Sequence, residues 1–279
     1  MKQPKNTYLK RNQWWKYAVS LLIICIYLLP LYAVVVMSFK APTDLSPRLS
    51  LPQTPYWGSF QKAIENVSIL SALKNSALIT IGVVFIEVFA GCLAAYPLAR
   101  NRTRTNKAIM TVVLAIMMVP TLSIVTGVYT LLVSLKATST YSGIIAVTAA
   151  FGLPLSIFLY RNFIAAIPQS LDEASAIDGA SVFQTFYHVI LPQLAPVTVS
   201  VIIMKGISAW NEFDFSLYVL QKPRMYNVTL CIKQFFSETF TDMNAAAAAA
   251  LLGILPPIIA YLALCKVLWT ARSRDKDGH

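Results

Sequence analysis

Four stretches of this sequence, residues 17–39, 108–135, 137–160 and 243–265, carry no charged side chain, and a fifth, residues 75–99, carries only Glu87. A hydrocarbon core about 30 Å thick takes ~20 apolar residues to cross as a helix rising about 1.5 Å per residue. Each stretch is long enough. A sixth apolar run, residues 193–220, is interrupted by Lys205, Glu212 and Asp214. The expected fold is therefore all-α: a polytopic membrane protein with spans at 17–39, 75–99, 108–135, 137–160, 193–220 and 243–269. One transmembrane domain, 17–270, then lies between tails 1–16 and 271–279. Composition agrees, with 57% of residues hydrophobic and 13% charged, where a soluble domain has about 25% charged. Interfacial helices would need a polar face, which these runs lack. The first run is too long for the core of a signal peptide, and Ser38-Phe39-Lys40 after it offers no small-residue cleavage site.

Basic residues set the orientation. Lys2, Lys5, Lys10, Arg11 and Lys16 precede the first run; Arg100, Arg102, Arg104 and Lys107 follow the second; Lys266, Arg272, Arg274 and Lys276 close the chain. The link 136–142 has only Lys136. Both termini and the loops 100–107 and 161–192 are thus expected in the cytoplasm, with 40–74, 136–142 and 221–242 outside. The net charge of +11 is mostly this topogenic charge, with some attraction to anionic membrane lipid. Bases that flank spans instead of forming one patch do not point to nucleic acid. Cys25, Cys92 and Cys265 lie within apolar runs and Cys231 stands alone in an outer loop, so no metal-ligand spacing exists. His188 and His279 have no nearby second ligand in the sequence.

Residues 161–192 form the longer cytoplasmic loop, and its punctuation is helical. Ser170 with Glu173, and Ser181 with Gln184, have the capping-box pattern of a helix start. Asp178-Gly179 supplies a residue free to take positive φ, ending the first helix near Ile177. Pro168 and Pro192 bound the unit. The second helix places Phe183, Phe186, Tyr187 and Ile190 on one side and Gln184 and Thr185 on another. Such a hairpin can lie on lipid or fill a groove of a soluble partner. No Lys or Arg occurs between Asn162 and Met204, while Asp172, Glu173 and Asp178 are acidic. A partner's groove suits that charge better than an anionic bilayer.

The string E-A-S-A-I-D-G-A-S at 173–181, ending at Leu191-Pro192, resembles the EAA motif of permease subunits of bacterial ABC importers, the binding-protein-dependent inner-membrane components. Ile167-Pro168 ahead of it and Asp178-Gly179-Ala180-Ser181 within it resemble the carbohydrate-uptake branch, of maltose or oligosaccharide type. Asn75-Ser76, the A-Y-P-L-A-R string at 95–100 and Trp210-Asn211 match in register, so the likeness covers about residues 70–257. Ser175 departs from the usual Ala, though it is small enough to keep the helix. The resemblance implies a bacterial inner-membrane transport subunit, not an enzyme. It implies a second permease as heterodimer partner, cytoplasmic ATP-binding subunits that hold the MgATP, an extracytoplasmic sugar-binding protein, and no cofactor on this chain. The hairpin would be a coupling helix docked in a cleft of the ATP-binding subunit. Glu173 would be a contact or only a cap, Gly179 a hinge or only a helix end, and Phe183 with Phe186 the packing knobs. Ala174, Asp178, Ala180, Leu191 and Pro192 complete that segment.

The chain has no G-x-x-x-x-G-K-[ST] phosphate cradle of its own, so its energy would come from elsewhere. An ion-coupled carrier is the alternative, with Glu87, Glu212 and Asp214 as candidate ion sites; a membrane scaffold is the third. Trp210, Asn211, Glu212 and Asp214 put an aromatic plate beside polar side chains, which suits a carbohydrate path. Equally, Trp210 would serve as an interface marker and Asn211 as an interhelical hydrogen-bonding group. Glu87 is expected to pair internally, and Lys205 is the intramembrane base at hand. The outer loop's Tyr226, Phe235, Phe236 and Phe240 either meet the binding protein or fold onto the membrane surface. Six alanines at 245–250 suit close helix packing. Pro30, Pro97, Pro120 and Pro154 are expected to interrupt spans, and Pro256-Pro257 to kink the sixth.

Overall fold

The computed structural model describes residues 14–236 and 242–277, with side chains as far as Lys266. Every regular element among them is a helix. They form two compact units: the described residues up to Asn66 together with Phe235–Leu251, and Val67–Gln234 together with the chain from Leu252.

In the first unit, helix α1 (Trp14–Ser38) continues straight through Pro30. Nearly all its side chains are exposed except near Val36 and Ser38, the surface expected of a helix whose solvent is lipid. The loop after it is held together by side-chain contacts. Phe39 lies edge-on to Trp57 at 5.1 Å. Buried Lys40 satisfies its ammonium with Ser46 Oγ (2.7 Å) and the Pro47 carbonyl (2.6 Å). A short helix, α2 (Gly58–Glu65), follows. Lys62 on α2 pairs with Asp242 at 2.6 Å.

The second unit is organised around α3 (Ile69–Arg100), a 32-residue helix that begins six positions before the expected span at 75. It packs most extensively on α6 (Tyr141–Ala166) and then on α10 (Ala195–Trp210). Two apolar clusters lie along it. Ile79 and Val83 join Ile144, Val147 and Phe215 in one; Cys92, Ala95 and Ala99 join Tyr160, Ile164, Phe186 and Ile190 in the other.

Two expected spans are not single helices. The 108–135 run is divided into α4 (Arg104–Met117) and α5 (Thr121–Ser134), which meet at 102°. Pro120 sits at the break with φ −64 and ψ 124, an extended setting that cannot continue α4. The fifth run also bends: the helical stretch Val182–Gln193 meets α10 at 71°. Beyond Trp210 the chain leaves the helix and resumes as α11 (Asp214–Val219). Among the described residues four helices are thus long and apolar enough to cross a membrane, or up to six spans if each bent pair counts as one. Pro97, Pro154, Pro256 and Pro257 lie inside unbroken helices, α3, α6 and α13 (Met243–Asp277). Interruption by proline was thus the wrong expectation for Pro97, Pro154 and Pro30, and right for Pro120.

Asn75 and Ser76 hold the 221–236 segment. Asn75 Nδ2 donates to the carbonyls of Arg224 (3.0 Å) and Tyr226 (2.9 Å), and Tyr141 donates to Asn75 Oδ1. Ser76 Oγ accepts from the Val228 amide at 2.9 Å, where α12 (Val228–Lys233) begins. Phe235, expected as exposed aromatic surface, is buried, whereas Phe236 is 50% exposed; Phe240 lies outside the described residues. Cys231 is fully buried and burial pushes its thiol up to about 12, so it stays protonated and inert. The described alanines from Ala245 to Ala249 are buried, as close packing requires.

Candidate functional site

The hairpin forms from two short helices and one glycine. Helix α7 (Ser170–Ile177) starts without the expected capping box. Gln169 occupies the cap position, no side chain closes it, and Ser170 is already helical. Its end follows the sequence reading. The Gly179 amide bonds to the Ala176 carbonyl (3.1 Å) and the Ala180 amide to the Ser175 carbonyl (3.0 Å). That Schellman closure needs a left-handed residue, and Gly179 has φ +79. Ser175, the departure from the motif, donates its hydroxyl to the Leu171 carbonyl at 2.8 Å and is buried.

The second limb starts on a complete capping box: Ser181 Oγ accepts from the Gln184 amide, and Gln184 Oε1 from the Ser181 amide. Helix α8 (Val182–Thr185) then widens into a π-helical turn, Phe186–Ile190, followed by α9 (Leu191–Gln193). The wide turn redistributes the expected apolar face. Phe183 (69% exposed) and Tyr187 (55%) stack on the outside with rings 6.5 Å apart. Phe186 is 5% exposed, its ring 5.2 Å from Tyr96, and Ile190 is fully buried. Phe186 is therefore not the surface knob the sequence suggested. Pro192 does not close the unit either; the bend comes two residues later, at Leu194.

The outer surface of the hairpin is consequently Ile177 (86%), Val182 (73%), Phe183 and Tyr187. Around it Glu173, Ala174 and Asp178 are exposed, with Ala180 and Leu191 half-buried and Pro192 exposed. An unpartnered apolar surface edged with carboxylates is what a soluble partner's groove would cover.

Asp172 attaches the hairpin to α3, a role the sequence reading missed. Its carboxylate accepts from the Tyr96 hydroxyl at 2.7 Å and pairs with Arg100 at 2.7 Å. Arg100 Nη1 also donates to the carbonyls of Ile164 (3.1 Å) and Ile167 (2.9 Å), where α6 ends. The signal was present in part: Tyr96 and Arg100 are four apart, one face of a helix. What they faced was not written in the sequence.

A second region is a cavity of about 560 Å³ at the other cluster, lined by Glu87, Thr121, Thr148, Phe151, Lys205, Ser208, Asn211, Phe213 and Asp214 among others. Ligand pockets span roughly 300–1,000 Å³. Glu87 pairs internally, as expected: Lys205 Nζ lies 3.3 Å from it, Ser156 donates to it at 2.9 Å, and Lys205 also donates to the Gly152 carbonyl at 2.5 Å. A Cβ at Gly152 would meet the Glu87 carboxylate, which would have to shift to make room for it. Glu212 lines the cavity but is committed to α11, accepting from the amides of Phe215 (2.7 Å) and Ser216 (2.9 Å) and from the Ser216 hydroxyl. Asn211 bonds back to Ile207 of its own helix, not to a neighbour. Trp210, expected on the substrate path, is not in the lining: it is buried and donates its indole N–H to the Gly253 carbonyl at 3.1 Å. Among the described residues no group of three His, Cys, Asp or Glu is placed to hold a metal.

Residues 87–269, more than half the chain, match the family model of the binding-protein-dependent transport system inner membrane component. The melibiose/raffinose/stachyose import permease protein MelC of Bacillus subtilis is 32% identical over 249 residues, covering 89% of this chain and 90% of its own. The probable starch degradation products transport system permease protein AmyC of Thermoanaerobacterium thermosulfurigenes is 30% identical, covering 92% and 94%. In fold, the chain is similar to the crystal structure of a bacterial ABC transporter involved in import of the acidic polysaccharide alginate, with a TM-score of 0.76 at 21% identity, covering 95% of this chain and 99% of that one. Nothing in these likenesses favours an ion-coupled carrier. With its helical membrane architecture and this match along most of its length, the chain belongs to the binding-protein-dependent transport system inner membrane component family.

Proposed function

We propose that this chain is the permease subunit of an ATP-driven importer of oligosaccharides, forming half of the translocation pathway beside a second permease. Substrate arrives from an extracytoplasmic sugar-binding protein, and both termini face the cytoplasm. MgATP sits on separate cytoplasmic ATP-binding subunits that grip residues 170–192. The observation that carries the reading is the exposed quartet of Ile177, Val182, Phe183 and Tyr187 on a hairpin rigidly closed by Gly179. Their apolar area has no partner among the described residues. Covering it contributes about 25 cal/mol per Å², with Glu173 and Asp178 available at the rim for a basic groove. Asn211 and Asp214, beside Phe151 and Phe213 in the cavity, suit sugar hydroxyls and C–H faces, and they form this subunit's share of the path.

Phe183→Asp places a charge in the centre of the docking surface without touching the buried Phe186. The expected result is loss of the ATP-binding subunit from the purified complex and at least a roughly tenfold fall in ATP-driven uptake, the size of effect expected from losing a central anchor. Uptake would be read with whichever of melibiose, raffinose and maltotriose the parent protein transports. Parental uptake and an intact complex would overturn the reading.

A further inference from the structure

We infer that Asp172, gripped by Tyr96 and Arg100, is the joint that passes hairpin movement into α3, and that α3 is the rod which delivers it to the cavity. The inference rests on the coupling role proposed above for residues 170–192. Both limbs of the hairpin reach the same short length of α3. The first is held through the Asp172 carboxylate, 2.7 Å from Tyr96 and from Arg100. The second is held through Phe186, whose ring lies 5.2 Å from that of Tyr96, with Ile190 in the same buried cluster as Ala95 and Ala99. A displaced hairpin therefore cannot slide past α3 without separating a mostly buried ion pair; the Arg100 and Asp172 side chains are 9% and 20% exposed.

From Arg100 the helix is continuous to Glu87 and Val83, both in the cavity wall. The thirteen positions from 87 to 100 place Glu87 about 20 Å up the axis at ~1.5 Å per residue. There α3 is tied across to α10 by the Glu87–Lys205 pair and to α6 by the Ser156 hydroxyl. A rigid element fastened at one end to the hairpin and at the other to the cavity is a physical route for coupling between two sites. Tyr96, Arg100 and Asp172 are thus positioning residues: none of them lines the cavity.

The test uses the importer reconstituted with its ATP-binding subunits. Ser208→Cys, in the cavity lining, is the reporter, in a chain whose two unburied thiols, Cys25 and Cys265, are replaced by Ser. The maleimide labelling rate is read with and without MgATP and vanadate, and co-purification of the ATP-binding subunit is read in parallel. Asp172→Asn and the milder Tyr96→Phe are expected to keep the subunit and its trapped nucleotide. The nucleotide-driven change in labelling should shrink roughly 2- to 30-fold, the span of effects for residues on a coupling route, and Asp172→Glu should recover part of it. A static brace would leave that change intact, and this result overturns the inference. Loss of the subunit from Asp172→Asn also overturns it, making Asp172 part of the docking surface. A parent that never holds the subunit would instead sink the coupling role of the hairpin, and this inference with it. A parent that holds it while its labelling ignores nucleotide would overturn the joint alone.

Discussion

Glu87 and Lys205 face each other at 3.3 Å with side chains 2% and 7% exposed, while Asp172 and Arg100 meet at 2.7 Å with 20% and 9% exposed. The first pair lies in mid-helix positions of α3 and α10; the second lies where α3 meets the 170–192 hairpin. Both have a hydroxyl from a third side chain on the carboxylate, Ser156 in one and Tyr96 in the other. Their surroundings make them different devices. Within the membrane a lone charge has no water to turn to, so each member of the inner pair is held hostage by the other, and the pair locks α3, α6 and α10 into one body. At the hairpin root, solvent reaches the carboxylate. Breaking the pair there is expected to cost less than in the inner pair, because the Asp172 side chain is 20% exposed against 2% for Glu87. Similar chemistry therefore serves cohesion in one place and transmission in the other.

The largest effect that would break this comparison is at Lys205. Lys205→Met leaves Glu87 buried without its cation, and such loss of one partner costs about 3–5 kcal/mol. The expected outcome is a much lower unfolding temperature in detergent, with most of the loss restored by adding Glu87→Gln, which removes the orphaned charge. A single variant that melts with the parent would mean that water reaches the pair through the cavity, and the distinction between the two clusters would fall.

A smaller effect sharpens the other side. Gly179 has φ +79 with open space around the position a Cβ would take, so a substitution there meets backbone strain alone and no clash. Strain in the left-handed region costs about 1–3 kcal/mol, most for a β-branched residue. Gly179→Val should therefore reopen the Schellman closure and reduce ATP-driven uptake while the unfolding temperature of the membrane body stays near that of the parent. Gly179→Asn, which tolerates that conformation, should transport almost normally. Equal uptake by the valine and asparagine variants would show that the hairpin's shape does not matter to coupling.

The sequence was most informative where one local rule decides the outcome. Apolar runs of membrane length, three of them uncharged and one carrying only Glu87, marked the four long helices, and a second capping box plus Asp178-Gly179 marked both limbs of the hairpin. It was least informative where a wider context overrides the local rule. Ser170 has a cap residue's chemistry, but Gln169 after Pro168 already turns the chain, so the serine falls inside the helix. Phe183 and Phe186 look equivalent at helical spacing, yet the π-helical turn from Phe186 puts one outside and the other against Tyr96. Prolines within the apolar runs were read as interrupting or kinking the spans, but of these only Pro120 lies where an extended residue separates two helices. In the cavity, Glu87 had a predictable partner because Lys205 was the available base. Trp210 was misjudged because its partner, Gly253, is visible only in three dimensions; Glu212 does line the cavity, but its tie to the amides of α11 was equally out of sight.

A third ion pair extends the comparison toward water and carries the smallest expected effect. Lys62 and Asp242 are 2.6 Å apart, with Lys62 36% exposed and Asp242 9%. Burial pushes the Asp242 carboxyl up, but the hydrogen bonds from Lys62 and the Ala245 amide, with the charge of Lys62, outweigh it and hold the group below its ordinary value. A carboxyl whose folded-state pKa lies below its unfolded one contributes stability in full above the unfolded value of about 3.9. That contribution is lost as pH falls through the lower folded-state value. Partly exposed pairs contribute only about 0.2–1 kcal/mol, so Lys62→Ala should lower the unfolding temperature slightly at pH 7. The difference between variant and parent should narrow as the pH is taken below about 4, where the unfolded carboxyl protonates. A loss at neutral pH as large as that from Lys205→Met would mean that exposure is not what separates the pairs. The contrast between a membrane lock and a solvent-reached joint would then need another cause.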